Sequence, residues 1–163
     1  MTWSEYYADQ LTRARNISLY MVKDFDEKDF YTKVDRVNPG IWILGHMANS
    51  ESSIVFRALG EEPPLPENWG NWFAIGTKIL DDLHQYPPLS EIKQVLNDSH
   101  QKTIQRIQKL SEDELLAPAN PKMQVFDWLK TVRDALGFAI IHECNHGGQL
   151  IFLRKLLNKP GLV

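Results

Sequence analysis

Between Thr131 and Asn158 the chain repeats its apolar side chains at the period of an α-helix. At about 100° per residue, Ala135, Phe138, Ala139, His142, His146, Gln149, Leu150, Leu153 and Leu157 share one side. Thr131 with Asp134 three residues on supplies the start signal, ahead of the alternative start at Asp127, and Pro160-Gly161 the stop. A helix this long and this one-sided must cover its apolar face with other helices.

The rest of the chain provides them. Thr2-Trp3-Ser4-Glu5 reads as a capping box opening a first helix that ends near Lys23, with a stripe of Trp3, Tyr7, Leu11, Ala14, Ser18 and Met21. Asn38 as cap and Pro39 at the first helical position announce a second helix, reaching about Leu59 before Gly60. Gly60 to Trp72 is rich in Pro and Gly and reads as a long surface loop anchored by Trp69 and Trp72, with a short helix expected from about Phe73 to Leu83. After Pro87-Pro88, Ser90 caps a third long helix with the stripe Ile92, Leu96, Ser99, Thr103, Ile107 and Leu110. Ser111 to Glu114 is a further capping box, opening a short turn before Pro118. No stretch shows strand alternation. These elements predict an all-α fold, an antiparallel four-helix bundle with a long crossover between helices two and three, as one domain over residues 1–163.

Charge and composition narrow the function classes. A net charge of −3 gives no basic face for nucleic acid, and no apolar run approaches the roughly 20 residues of a membrane span. Met1 to Glu5 has neither a basic region nor an apolar signal segment, so a cytoplasmic location is expected. The single cysteine, Cys144, excludes an internal disulfide framework.

His142 and His146 stand at the centre of the apolar stripe, about 40° apart and one turn from each other, a spacing that one divalent metal can bridge. Buried imidazoles need partners for their nitrogens. Either metal ligation or hydrogen bonds to backbone carbonyls supply them. The best third ligand is His46. On the second helix Trp42, His46, Asn49, Ser50, Ser53 and Arg57 share one side, a polar row around a histidine, and the opposite side is also apolar. Trp42, Asn49, Ser53 and Gln149 are therefore candidate pocket residues. His84, beside Pro87-Pro88, is expected to stay outside the site, and His100 to be exposed. Cys144 lies about 200° from His142 and is expected to support close helix packing rather than catalysis. Arg57 reads as a surface arginine.

Trp42-Ile43-Leu44-Gly45-His46-Met47-Ala48 on the second helix, with His142-x-x-x-His146-Gly147-Gly148-Gln149-Leu150 on the last, resembles the DinB/YfiT-like family. Essentially the whole chain takes part, including the helix order, the crossover and Thr131 opening the last helix. The resemblance implies a four-helix bundle with a metal held by His46, His142 and His146. It implies a homodimer, and either thiol S-transfer from a low-molecular-weight thiol or metal-dependent hydrolysis; a non-catalytic metal-binding stress-response module is the third class.

Three neutral imidazoles leave a divalent ion with open positions, the composition of a catalytic rather than a closed structural site. Imidazole suits zinc, nickel, copper or iron(II), so the donor type alone does not select the ion; zinc or nickel is expected ahead of iron. An open position serves a water for hydrolysis or a thiolate for transfer. Glu51 lies about 140° from His46 and Glu143 about 100° from His142, so neither points at the metal as a general base. That absence favours transfer to a small-molecule substrate. The catalytic residues beyond the ligands stay unassigned.

Overall fold

Capping chemistry written into the sequence sets most of the helix starts. The computed structural model describes residues 1–123 and 126–162. Helix α1 runs Trp3–Tyr20; the Thr2 hydroxyl accepts from the Glu5 backbone N–H, and the Glu5 carboxylate accepts from that of Thr2 at 2.7 Å. Helix α2, Glu27–Phe30, is a single turn closed by a reciprocal box between Asp26 and Asp29. Helix α3 spans Gly40–Ala58, α4 Trp69–Phe73 and α5 Leu89–Gln108. Helix α6 covers Glu112–Leu116 behind the Ser111 box. Helix α7, Val132–Leu156, starts at the Thr131–Asp134 box. The fold is all-helical: the two isolated bridges, Val34–Val37 and Pro118–Thr131, build no strand among the described residues.

The long helices α1, α3, α5 and α7 form a ring of neighbours. Helix α3 packs against α5 and α7, and α1 packs against α7 and α5. One half of the core gathers Trp42, Leu44, Met47, Phe73, Leu96, Leu150 and Leu153; the other gathers Leu11, Val55, Ile107, Leu129, Leu136 and Ala139. Every residue of α3 from Gly40 to Val55 is buried. This helix is therefore covered on both its apolar and its polar sides, and the polar row around His46 faces the inside of the protein. The expected stripe of α5 is also buried throughout, Ile92 to Leu110.

Several expectations shift. Asn38 does not cap α3. Pro39 takes the cap position in an extended conformation and Gly40 is the first helical residue, pressed against Phe30, where a Cβ would lie 3.1 Å from the Phe30 Cα. Pro88 rather than Ser90 precedes α5. The short helix expected over Phe73–Leu83 ends at Phe73 instead of starting there, followed by a 3-10 turn at Leu83–Gln85. Extended backbone at Ala74 and a positive φ of 83° at Gly76 end the helix, while the buried Trp69 indole donates to the Gly45 carbonyl and holds the turn earlier in the chain. On α1 the buried line is Ser4, Ala8, Leu11, Arg15 and Ser18, and Trp3 is exposed. Among the described residues no helix packs over the back of α7, where Cys144 and Gly148 are exposed, as are Ile151 and Phe152, so the close packing expected at Cys144 is not made within the chain.

Gly45 is where the crossover locks onto α3. A Cβ there would lie 2.6 Å from Phe73 Cζ and closer still to Cδ1 and Cε1. Phe73 is fully buried and cannot rotate aside at low cost. Gly45→Ala is expected to destabilise the protein by about 1–3 kcal/mol, read as a lower denaturant midpoint with an unchanged slope.

Candidate metal centre

The crossover that closes over Gly45 also orients His46. The His46 Nδ1–H donates to the Phe73 carbonyl at 2.7 Å. Its ring stacks on Trp42 at 4.5 Å between centroids and 10° between planes, and the Trp42 indole in turn donates to Thr77 Oγ1. A carbonyl can only accept, so the proton sits on Nδ1 and the lone pair on Nε2. The Ser50 hydroxyl lies 3.2 Å from that Nε2.

On α7, His146 is arranged the same way. Gln149 Oε1 accepts from His146 Nδ1 at 3.2 Å, which places the lone pair of that ring on Nε2. His142 Nε2 lies 3.4 Å from His146 Nε2. The His46 ring centroid is 4.7 Å from that of His146 and 5.3 Å from that of His142. The ligand-capable atoms of His46, His142 and His146 all lie within 4.8 Å of one another, a set that could hold a metal ion. Outer acceptors on Nδ1 are the usual partners of a metal-binding imidazole, fixing its tautomer and raising its basicity.

Electrostatics keep these rings neutral. Burial, and then the two neighbouring imidazoles, push His142 down to about 3. Burial and His46 push His146 down to about 4, against the hydrogen bond to Gln149. Burial lowers His46 as well, opposed by the Phe73 carbonyl. Neutral imidazole is the form that binds a cation. The donor set fits a divalent ion: three imidazole nitrogens converge, two of the rings have their protons committed elsewhere, and none carries charge near neutrality.

The same shifts predict a pH dependence for the metal-free protein. Between the ordinary histidine value near 6.5 and the lowered folded values, the unfolded chain binds more protons than the folded one. Stability is therefore whole above about pH 6.5 and is lost progressively as the pH falls towards about 3, the His146 part by about pH 4. Melting temperatures of chelated protein should fall over that window, and by less in His142→Leu, where other titrating groups cancel in the comparison.

The remaining sequence candidates divide. Trp42 and Gln149 touch the histidines directly. Asn49 and Ser53 are buried on the His46 side of α3; a Cβ on Gly70 would lie 3.8 Å from Asn49 Oδ1, and Ser53 Oγ is buried without a hydrogen-bond partner among the described residues. Trp72 is partly exposed and meets Tyr86 edge-on. Arg57 is exposed, and His84 stacks on Tyr31 away from the site.

His100 is not the exposed residue expected. Its side chain is 12% exposed and its Nδ1 lies 2.9 Å from Glu51. Glu51 and Glu143 are neither solvated nor near the histidine lone pairs in their bonding. Arg15, itself buried, binds Glu143 through Nε at 2.6 Å and Glu51 through Nη2 at 2.9 Å, and donates Nη1 to the Leu96 carbonyl. This ionic cluster ties α1, α3, α5 and α7 together, and Glu143 is the chain neighbour of His142.

Sequence reasoning also missed an aromatic wall beside the centre. Phe138 meets His142 edge-on at 5.9 Å, and the exposed rings of Phe126 and Trp128, stacked on each other at 5.4 Å, both meet Phe138 edge-on. Phe138 was legible on the stripe; its companions on the preceding loop carry no periodic signal.

The chain's fold is similar to that of a conserved protein from Enterococcus faecalis known from a crystal structure. The TM-score is 0.67 at 17% sequence identity, and the match covers 97% of this chain and 98% of that one. No curated protein matches the chain. A family model described as the DinB superfamily matches residues 10–150, a span that contains all three clustered histidines, and the chain therefore belongs to the DinB superfamily.

Proposed function

We propose that the protein is a metal-dependent transferase that joins a low-molecular-weight thiol to a small electrophile, on an antiparallel four-helix bundle. The observation that carries this reading is the convergence of three neutral imidazoles, His46, His142 and His146, with no uncommitted carboxylate from the flanking positions Glu51 and Glu143. A divalent cation bound there, zinc or nickel ahead of iron, supplies a Lewis acid with open positions that lowers the pKa of a thiol held against it.

The chain's own residues do the rest. Phe73 O and Gln149 Oε1 hold the Nδ1 protons of His46 and His146, so that both rings present Nε2. Trp42 fixes the plane of His46. Ser50, Asn49 and the unpartnered Ser53 Oγ offer polar contacts to a substrate along α3, and Phe138, Phe126 and Trp128 form an apolar wall for its electrophilic part. In the reaction the thiol gives its proton to solvent, its sulfur forms a bond to the electrophilic carbon, and the leaving group departs with the bonding pair. Hydrolysis calls for a general base beside the attacking water, and the nearby carboxylates are bound to Arg15 and His100. The same reading includes a homodimer through the exposed back of α7 at Gly148, Ile151 and Phe152, and a cytoplasmic protein.

The test is conjugation of small thiols to a chloroarene by protein loaded with zinc or nickel. Product formation that needs both thiol and metal, and that disappears in His46→Ala, supports the transferase. Ester cleavage that needs metal but no thiol would place the protein among hydrolases. Metal binding with neither activity would leave a non-catalytic metal-binding module.

A further inference from the structure

A second cavity lies on the other side of the ionic cluster, between α1 and α5. It has a volume of about 370 Å³ and no His46, His142 or His146 in its walls. Leu19, Val22, Phe25, Phe30, Leu44 and Leu96 form its apolar surface. Every charged side chain that lines it is basic: Arg15, Lys23 and Lys93.

These cations differ in what they have left to give. Arg15 is saturated by Glu51, Glu143 and the Leu96 carbonyl, so its charge is already balanced behind the wall. Lys23 and Lys93 meet no carboxylate among the described residues. Their ammonium groups lie over aromatic faces, Lys23 at 3.8 Å from the Tyr20 ring centroid and Lys93 at 4.9 Å from that of Phe30. A ring face attracts the ammonium itself without neutralising its charge, and the N–H bonds that point away from the ring stay available to an anion. His100, its Nδ1 committed to Glu51, is the remaining titratable side chain in the wall.

We infer that this cleft is a binding site for a small amphipathic anion, a carboxylate with a short aliphatic chain. The chain lies on Phe25, Phe30, Leu44 and Leu96, and the carboxylate meets Lys23 and Lys93. The volume falls in the range of small-ligand sites, and an apolar floor with a few polar groups at one place is their usual construction. The other apolar cavity with basic walls, at Tyr20, Met21, Ile151 and the C-terminal segment, fits less well. There Arg154 is bound to Asp24 and the Pro160 carbonyl and Lys159 to Asp29, which leaves Lys155 as the single lining cation with no carboxylate partner among the described residues, against two in the cleft between α1 and α5.

Octanoate, titrated calorimetrically into the full chain at low salt, is the probe. Saturable binding with one site per chain is expected. The double variant Lys23→Gln/Lys93→Gln should weaken octanoate about tenfold, since each exposed charge pair is worth only a modest factor and is screened by salt. It should leave 1-octanol unchanged. Leu19→Trp, at a partly exposed wall position, should block both ligands; a melting curve confirms that it folds. Because a carboxylate can also bind a metal, the titration is repeated on chelated protein and on His46→Ala. Unchanged affinity in both supports the cleft and is independent of whether the histidines bind metal. No binding at millimolar octanoate, full affinity in the lysine double variant, or loss of binding on chelation would each overturn the assignment.

Discussion

Replacing His46 by alanine lowers the affinity for zinc or nickel by about a hundredfold or more. Even an outer hydrogen-bond partner of a metal-binding histidine is worth about 10–100-fold, and His46 supplies one of three ligand-capable atoms gathered within 4.8 Å. His142→Ala and His146→Ala should act alike. The informative contrast is Gln149→Leu, which keeps all three imidazoles and removes only the acceptor of the His146 Nδ1 proton. It should fall between wild type and the ligand variants, about 10–100-fold down. Competition against a chromophoric chelator measures all four variants on one scale. Equal affinity in His46→Ala and wild type would exclude His46 as a ligand.

Arg15→Met should be among the most damaging single substitutions outside the metal centre. It leaves Glu51 and Glu143, both nearly inaccessible, as buried carboxylates facing each other without their cation. Breaking a buried ion pair by removing one partner costs about 3–5 kcal/mol, roughly 6–20 °C in melting temperature for a domain of this size. The cost comes from the stranded charges, not from loss of a strong net attraction. The triple variant Arg15→Met, Glu51→Leu, Glu143→Leu should therefore recover most of the stability, because apolar side chains of similar size replace buried ions at little net cost. Thermal melts of the single and triple variants settle this; a triple variant as unstable as the single one would mean the cluster contributes attraction beyond its desolvation.

What was legible in the sequence follows from how local each signal is. Thr2–Glu5, Ser111–Glu114 and Thr131–Asp134 are complete within four residues, and each forms the reciprocal cap it predicts. The α5 stripe is legible because its helix is buried on one side only. The polar row of α3 around His46 could be placed inside because the opposite side was apolar as well. The position of α4 was not legible, since it depends on Trp69 reaching Gly45 and Phe73 fitting where Gly45 has no side chain. Arg15 was missed for a similar reason. A lone arginine beside Leu11 and Ser18 looks like a solvated edge until α3 and α7 bring Glu51 and Glu143 to it. The tautomers of His46 and His146, which suit the cluster to a cation, depend on the Phe73 carbonyl and Gln149. Only Gln149 could be read from spacing along one helix.

The claim that the histidines form an open metal centre is tested most directly by anomalous scattering from crystals of the protein grown with zinc, measured on both sides of the zinc edge. One anomalous peak bonded to Nε2 of His46, His142 and His146, with no fourth protein ligand, is the predicted result. An empty triad at full zinc saturation, or a zinc closed off by a fourth side chain, would contradict it.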